Sequence, residues 1–401
     1  MSVTQPDFAS LADKVADGVR LTEDDALALL RHPDLPALGR LADSVRARRH
    51  PEGEVTYIVD RNINYTNVCV TLCKFCAFYR RPGDPEGYDH PAEVIYAKIR
   101  ETKELGGTQI LLQGGHHPDY GIERYEELFA GIKAHEPIHI HGLSPSEILH
   151  CGKVSKLPLS EVLSRMRAAG LDSIPGGGAE ILVDRVRRII SPLKTMSDEW
   201  LGVMREAHVQ GLRTTATMMF GHVETLEERV EHMRRVRELQ DETGGFTAFI
   251  SWTFQAPHTE MDTVPMTGGF DYLRTAAVSR LYLDNIENFQ ASFVTQGIDI
   301  AGVALRYGMN DLGSVMIEEN VVSAANCECL AEIDVMEKTA RAAGFTPRRR
   351  NMFYDRVDET GRIVARHRDP FWTERSGHPD DRPAAMAADL AALEAHPAQA
   401  S

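Results

Sequence analysis

Three of the six cysteines lie within eight residues, in the stretch NYTNVCVTLCKFCAFYRRPGD (64–84). Cys69, Cys73 and Cys76 have the spacing C-x₃-C-x₂-C, with no fourth cysteine near them. A closed zinc or iron–sulfur site normally takes four protein ligands. Three thiolates can instead hold three irons of a [4Fe–4S] cluster and leave the fourth iron open, which is typical of a catalytic metal site. The spacing is therefore compatible with such a cluster, with a zinc knuckle or a chance grouping of three cysteines as the alternatives.

The composition fits a large enzyme of a reducing compartment. The chain has 401 residues, of which 43% are hydrophobic and 26% charged, enough for one α/β barrel with appendages. Crowded cysteines favour metal ligation over a disulfide framework. The net charge of −15 argues against nucleic acid as a partner. We find neither a long uncharged apolar run nor the apolar part of a secretory signal, so we expect a cytoplasmic protein with no membrane partner.

Short β-rich runs alternate with amphipathic helical stretches from about residue 55 onward. This alternation indicates a parallel sheet with right-handed crossovers. Six clear units, and up to eight, predict a TIM-type (β/α) barrel, partial or complete, although an open doubly wound sheet stays possible. The strand candidates are VTYIVD, TQILLQGG, IHIHGLS, DSIPGG, RTTATMMFG, FTAFISWTFQ, ASFVTQG and SVMIEENVVS.

Four segments are expected along the chain. Residues 1–50 should form helices, one of them capped by Thr22. Residues 51–325 should form the barrel, and residues 326–374 a C-terminal helix and extension packed on it. Residues 375–401 are rich in Ala, Pro and Asp and should form a flexible tail. The three cysteines follow the first strand, so they belong to the barrel end at which active sites are built.

The cysteine motif, with Phe75 just before the third cysteine and a strand before the first, resembles that of the radical S-adenosylmethionine (SAM) superfamily. The resemblance implies a [4Fe–4S] cluster whose open iron binds SAM and whose reduction releases a 5′-deoxyadenosyl radical. From about residue 50 to 350 the chain also resembles cyclic dehypoxanthinyl futalosine synthase, also called dehypoxanthine futalosine cyclase. Besides the cysteine stretch, the segments that carry this likeness are LLQGGHHPDYGIERYEELF, HIHGLSPSEI, AGLDSIPGGGAEIL, ISWTFQAPHTEM and NDLGSVMIEENVVSAA.

That family acts in the futalosine pathway of menaquinone biosynthesis. The resemblance implies an oxidoreductase that cyclises dehypoxanthine futalosine, a ribose-like ring joined through a ketone-bearing chain to a benzoate. The radical would take a hydrogen from the sugar, and the sugar carbon would attack the benzoate ring. A low-potential electron donor such as flavodoxin or ferredoxin is also implied. The alternatives are aminofutalosine synthase, which shares the cysteine motif, and a non-catalytic metal-cluster protein.

Five further residues are expected to contact the cofactor. Gly114 and Gly115 end the second strand candidate, where glycine allows the backbone to approach a ligand closely. Glu180 of PGGGAE resembles the acidic residue that binds the ribose of SAM, since a carboxylate accepts hydrogen bonds from two hydroxyls. Its alternative role is that of a carboxylate at a helix start. Phe78 resembles the position that contacts adenine, and Ser144 ends the third strand candidate.

Other polar residues are candidates for the substrate side of the site. His116, His117 and Glu318 are the candidate bases for the proton that the ring loses. Residues at the ends of later strand candidates could line the cavity, namely Trp252, Thr253, Gln255, Asn310 and Glu319, of which Thr253, Gln255 and Asn310 are our predicted substrate-binding residues.

Two remaining groups are expected to be structural. His139 and His141 alternate along one strand and so point to the same side, where core histidines with satisfied hydrogen bonds are expected. Cys327 and Cys329 depart from the family pattern and could suggest an auxiliary cluster. Such a cluster needs more ligands, so buried or helix-start thiols are the preferred interpretation.

Overall fold

The computed structural model describes residues 7–327 and 330–375, and its centre is a barrel of parallel strands. The strands that form it are β1 (Glu54–Ile58), β2 (Asp60–Ile63), β3 (Gln109–Leu112), β4 (His139–Gly142), β5 (Ser173–Ile174), β6 (Arg213–Phe220), β7 (Phe246–Thr253), β8 (Asn288–Gln290) and β9 (Asp311–Ser314).

The barrel is closed by its first extended segment. β1 and β2 are two halves of this segment, separated only by Val59. β2 pairs with β3, each later strand pairs with the next, and β9 returns to pair with β1. The pairing continues past β9, since Ile317 N donates to Asp60 O at 3.2 Å. The predicted TIM-type barrel is therefore confirmed, and it is complete.

Helices cover the outside of the barrel and bury their apolar faces against it. On α5, for example, Tyr125, Leu128, Phe129 and Ile132 are buried at the spacing of one helical face. The helices between the strands are α4 (Ala92–Glu104), α5 (Ile122–His135), α6 (Pro145–Ser155), α7 (Leu159–Ala169), α8 (Asp184–Ile190), α9 (Ser197–Val209), α10 (Leu226–Thr243), α11 (Gly269–Tyr282), α12 (Phe293–Gln296) and α13 (Ile298–Ala304).

Three helices precede the barrel, and α2 and α3 pack against α10 and α11. They are α1 (Phe8–Ala16), α2 (Glu23–Arg31) and α3 (Leu35–Arg49). The predicted cap of α2 is present, because Asp25 N donates to Thr22 Oγ1 at 3.2 Å. Thr22 N in turn donates to the Asp25 carboxylate at 3.0 Å, which completes a capping box.

The C-terminal extension adds strands next to β1, the amino-terminal half of the first extended segment. It contains α14 (Ile333–Ala342), β10 (Thr346–Arg350), β11 (Arg356–Val357), β12 (Ile363–Ala365) and α15 (Pro370–Arg375). β10 pairs in parallel with β1, and β11 and β12 follow as antiparallel strands. Residues 376–401 of the predicted tail lie outside the described residues. Among the helices that the structure describes, none has the length and apolar character needed to cross a membrane.

Candidate active site

The three motif cysteines lie on the loop that leaves β2 at the carboxyl end of the barrel. Thr71 Oγ1 is 3.0 Å from Cys69 Sγ and 3.6 Å from Cys73 Sγ. Cys76 N donates to Cys73 O at 3.1 Å, so the chain turns tightly between the last two cysteines. Leu72, directly before Cys73, has a φ of 47°, in the left-handed region, and so bends the chain ahead of this turn. The loop therefore gathers the three thiols at one place.

The chemistry of these thiols fits a metal cluster. Burial raises the pKa of the Cys73 thiol to about 12 and also raises that of Cys76, so both thiols stay protonated until a metal binds them. In the described ranges, no three His, Cys, Asp or Glu side chains are placed to hold one metal ion. The thiolates of a [4Fe–4S] cluster bind separate irons, so they do not need that closer arrangement.

Gly114 and Gly115 pack directly against the cysteine loop. A Cβ atom on Gly115 would lie 2.2 Å from Val68 O, and one on Gly114 would lie 2.7 Å from the Tyr65 ring. Gly115 N also donates to Thr66 O at 2.8 Å. Gly115 is thus required by the close approach of two backbone segments, and Gly114 by the Tyr65 ring packed against it. Their predicted contact with SAM stays a prediction.

Glu147, which the sequence analysis did not single out, connects this glycine loop to α6. Its buried carboxylate accepts hydrogen bonds from Tyr65 Oη at 2.8 Å, Gly114 N at 2.9 Å and Ser144 N at 2.6 Å. Ser144 Oγ accepts from Glu147 N at 3.3 Å, which completes a capping box. The spacing S-x-x-E in SPSE could have revealed it. The predicted contact of Ser144 with the cofactor is not tested, but its hydroxyl already caps α6.

Glu180 forms buried ion pairs with two cations. Lys194 Nζ is 3.1 Å from one carboxylate oxygen and Arg187 Nη1 is 3.4 Å from the other. Lys194 Nζ also lies 5.4 Å from the centre of the Phe75 ring. Burial lowers the pKa of Lys194, but Glu180 and Cys73 raise it, and the net shift is upward. The site therefore holds a permanent cation beside the cysteines, which sequence reasoning missed. The predicted ribose contact of Glu180 stays a prediction.

The two adjacent histidines lie away from the barrel interior. His116 is buried behind the cysteine loop, with Nδ1 3.8 Å from Cys69 Sγ, and burial lowers its pKa well below the usual value. His117 stacks on Tyr120 with ring centres 4.2 Å apart. Neither side chain lines the barrel cavity. Their roles as bases stay predictions, which this placement does not favour.

A cavity of about 290 Å³ occupies the barrel interior below the cysteine loop. TIM barrels normally fill this space with side chains, so an open interior indicates a binding site. Gln109 and Leu111 on β3, and Gln113 directly after it, alternate along the chain and all face the cavity. Small side chains on other strands leave the space open, among them Gly176, Gly177, Thr215, Thr217, Thr247 and Ala248.

The neighbouring residues Glu318 and Glu319 point to opposite sides. Lys98 Nζ donates to both oxygens of Glu318, at 2.7 and 2.6 Å, outside the cavity. Glu319 lines the cavity, and its carboxylate accepts from the backbone N–H groups of residues 321–323 at 2.8 to 3.1 Å. Burial raises the pKa of Glu319. The structure therefore favours Glu319, rather than the predicted Glu318, as the group that faces a ligand.

The three predicted substrate-binding residues do not line the cavity. Thr253 Oγ1 accepts from Gln296 Nε2 at 2.7 Å, and Gln255 Nε2 donates to Thr253 O at 3.1 Å. Asn310 Oδ1 accepts from Arg280 Nη2 at 2.7 Å. All three side chains are buried and bonded within the protein. Their contact with substrate stays a prediction, and these bonds give each of them a structural task instead.

The histidines of β4 share one partner, as their predicted common direction requires. His139 Nε2 and His141 Nδ1 both lie 2.7 Å from Ser173 Oγ. Burial lowers the pKa of His139 to about 4, so the imidazole is neutral. His141 also lines the cavity. Both are core histidines, and His141 in addition reaches the binding space.

Two remaining candidates lie near the rim of the site. Phe78 is half-buried, and its ring meets that of Tyr88 edge-on with centres 6.4 Å apart, so its contact with adenine stays a prediction. Cys327 Sγ donates to Val294 O at 2.8 Å, as a structural thiol would. Cys329 lies outside the described residues.

Comparison with known proteins agrees with this geometry. Residues 63–236 match the model of the radical SAM superfamily, and residues 243–363 match the model described as the CofH/MqnC C-terminal region. In solved structures the fold is similar to methylornithine synthase, with a TM-score of 0.67 and 20% identity over 84% of this chain and 97% of that one. The closed barrel, the cysteine loop at its carboxyl end and these matches define a radical SAM enzyme, whose cofactors are a [4Fe–4S] cluster and SAM.

The sequence relatives identify the group within that superfamily. The chain is 46% identical to the cyclic dehypoxanthine futalosine synthase of Streptomyces coelicolor, over 88% of this chain and 89% of that protein. It is 44% identical to the protein of the same name from Halalkalibacterium halodurans, over 86% and 94%. It is 39% identical to the aminodeoxyfutalosine synthase of Thermus thermophilus, over 90% and 99%. The chain belongs to this family of futalosine-pathway radical SAM enzymes.

Proposed function

We propose that the protein cyclises dehypoxanthine futalosine to cyclic dehypoxanthine futalosine on the futalosine route to menaquinone. The observation that carries this proposal is the higher identity to the two relatives with that name than to the aminodeoxyfutalosine synthase. The second candidate is therefore aminodeoxyfutalosine synthesis. A non-catalytic cluster protein would not need the open cavity beneath its cysteines.

The residues divide the work between the cysteine loop and the cavity. Cys69, Cys73 and Cys76 hold the cluster, which together with SAM supplies a 5′-deoxyadenosyl radical. The cavity encloses the substrate, keeps out water and folds the sugar against the benzoate ring. Lys194 keeps a positive charge beside the cysteine loop, where it offsets the negative charge of the thiolates.

The proton balance of the cyclisation points to a base in the cavity. One hydrogen atom passes from the sugar carbon to the 5′-deoxyadenosyl radical, and a carbon–carbon bond forms to the ring. The ring then loses one proton to a base and one electron, which the oxidised cluster would accept. Glu319 lines the cavity, and its raised pKa suits a proton acceptor. The imidazole of His141 has a pKa held well below its usual value by burial, so it is a weaker base. We therefore assign the ring proton to Glu319.

The test is anaerobic turnover with labelled substrate. Reconstituted enzyme, SAM and reductant should convert dehypoxanthine futalosine to a product with two fewer hydrogens. Deuterium placed at the 4′ carbon of the sugar should appear in 5′-deoxyadenosine. Retention of the label in the product would contradict the proposed hydrogen transfer. If the enzyme instead joined a carboxyvinyl-oxy benzoate to a purine nucleoside, the second candidate would be correct.

The proposed reaction needs electrons from another protein. We propose a low-potential donor such as flavodoxin or ferredoxin, because the cluster must be reduced before it cleaves SAM. A cytoplasmic location suits this requirement and the crowded thiols, since both depend on a reducing compartment. Reduction of the reconstituted cluster by purified flavodoxin or ferredoxin, followed spectroscopically, would test the proposed partner.

A further inference from the structure

The floor of the cavity is built by the C-terminal extension, from Arg350 and the turn at residues 351–355. Asn351 Oδ1 accepts from Phe353 N at 2.9 Å and from Asp355 N at 3.1 Å, and Asn351 Nδ2 donates to the Asp355 carboxylate at 3.0 Å. These bonds hold Tyr354 at a φ of 64°. A side chain in the left-handed region is unfavourable, and such positions often serve function. Here the turn directs Tyr354 into the cavity.

Arg350 and Tyr354 have hydrogen-bonding capacity left over. Arg350 donates to the Asp311 carboxylate at 2.5 and 2.9 Å and to Asn351 O at 3.1 Å, which uses three of its five N–H bonds. Its guanidinium carbon lies 4.1 Å from the centre of the Tyr354 ring. Tyr354 Oη is buried with no hydrogen-bond partner among the described residues. Since burying an unbonded hydroxyl is costly, a bound ligand is the expected partner.

The charges around the floor favour an anion. Arg350 is the only lysine or arginine that lines the cavity in the described part of the chain. Beneath it, the buried Arg280 donates only to neutral oxygens, those of Gly308 O, Glu287 O and Asn310 Oδ1. The charge of Arg350 is itself paired with the buried Asp311 carboxylate, and Arg280 adds a further positive charge to this pair.

One carboxyl group, that of Asp60, also faces this end of the cavity. Its two oxygens accept from Ser314 Oγ and, at 2.6 Å, from Gln109 Nε2. Burial raises the pKa of Asp60. Asp60 therefore opposes an incoming carboxylate less than an exposed aspartate would.

We propose that Arg350 and Tyr354 bind the carboxylate of the substrate's benzoate and so set how deep the substrate lies below the cluster. The proposal rests on the proposed function. The lining residues Gln109, at the start of β3, and Gln113, just after its end, are four positions apart, which corresponds to about 13 Å along an extended chain. A benzoate at the floor can thus place its attached sugar at the upper end of the cavity. Arginine suits this task because its planar fork matches a carboxylate.

The experiment compares a carboxylate with its neutral isostere in the reconstituted enzyme with SAM and without reductant. The probes are dehypoxanthine futalosine, acetylbenzoate and acetylbenzamide, and affinities are measured by titration calorimetry at fixed salt. Arg350→Lys should weaken binding of both carboxylates about 10- to 100-fold and leave acetylbenzamide unchanged, because bonds to a charged group are lost. Tyr354→Phe should weaken the carboxylates about tenfold. The exposed Arg348, on the same strand, supplies the control variant Arg348→Lys, which should match wild type.

Tyr354→Phe keeps the test valid if Arg350 variants fold poorly, because it removes only a hydroxyl that has no protein partner. Equal binding of acetylbenzoate and acetylbenzamide by wild type would overturn the proposal, as would unchanged discrimination in Tyr354→Phe. If the enzyme forms the cyclised product but binds acetylbenzoate and acetylbenzamide equally well, the floor site is refuted and the proposed function stands. Discrimination that depends on Arg350, without any cyclised product, would refute the function and leave a site for an aromatic carboxylate.

Discussion

Replacing Glu180 by Gln should destabilise the metal-free protein, because it breaks a buried ion pair. The Glu180 side chain is 3% exposed and its partner Lys194 is 11% exposed. Arg187, the second partner, also donates to Ala179 O at 2.6 Å and to Thr195 O at 2.7 Å, so it keeps strong acceptors in the variant. Lys194 keeps no carboxylate within ion-pair distance in the described part of the chain. The cost therefore falls mainly on Lys194.

The size of the expected loss in stability follows from this geometry. Removing one partner of a buried ion pair typically costs about 3–5 kcal/mol. Because Arg187 stays bonded, we expect the lower end, about 3 kcal/mol, for Glu180→Gln. Lys194→Met should cost less, since Glu180 then still has Arg187 at 3.4 Å. The loss in free energy of unfolding should be smaller for the double variant than the sum of the two single losses. The expected difference is about 1–3 kcal/mol, the usual coupling energy of two groups in contact.

Urea unfolding of the metal-free protein, followed by tryptophan fluorescence, measures these differences. Asp334→Asn is the matched control, because Asp334 pairs with Lys338 on an exposed helix face and its loss should leave the midpoint unchanged. In the reconstituted protein Glu180→Gln should also weaken SAM binding about tenfold with an unchanged cluster spectrum, if Glu180 bonds the ribose. The reasoning about the pair fails if Glu180→Gln unfolds like wild type, or if the two single costs simply add.

Three further predictions concern the cluster, the base and pH. Replacing any one motif cysteine by Ala should abolish cluster retention and SAM cleavage, whereas Cys327→Ala should keep both. The iron and sulfide content of the reconstituted variants measures cluster retention. Glu319→Gln should slow cyclisation by roughly 100-fold or more while Glu318→Gln changes it little, and equal rates in single-turnover assays would contradict the assignment. Burial lowers the pKa of His208 and His232 to about 3, against about 6.5 in the unfolded chain. Both histidines are neutral in the folded state, whereas in the unfolded chain they become protonated below pH 6.5. Their contribution to the free energy of unfolding is therefore complete above pH 6.5, and each contribution falls by about 1.4 kcal/mol per pH unit as the pH drops toward 3. Unfolding midpoints that stay level between pH 7.5 and 5.5 would refute this.

Local patterns explain why much of the architecture was predictable. The cysteine motif is contained in eight residues, so its three thiols are neighbours whatever the rest of the fold does. The parallel sheet follows from repeated alternation of strands and helices, since such crossovers join parallel strands, whereas its closure into a barrel is a finding of the tertiary structure. The capping box of Thr22 and Asp25 is equally local. Such features depend on residues close in the sequence.

The wall of the cavity was much less predictable, because it depends on which side of a strand each residue faces. A shift of one residue exchanges the inner and outer faces, and this difference separates Glu319 in the cavity from Glu318 on the outside. Thr253 faces away, whereas the adjacent Trp252 lines the cavity. No sequence pattern near these residues specifies the face.

The sequence by itself determined the loop that gathers the three cysteines, the parallel α/β class and the family, because short spacings and repeated periodicity encode them. The tertiary structure alone decided which polar groups meet inside the barrel. β10 pairs with β1 and so brings Arg350 and Tyr354 beneath residues that lie far earlier in the chain. Likewise, Lys194, in the connection between β5 and β6, reaches Phe75 of the cysteine loop only through the tertiary fold. Contacts between distant segments arise from the packing of the whole barrel, and no local stretch of sequence records them.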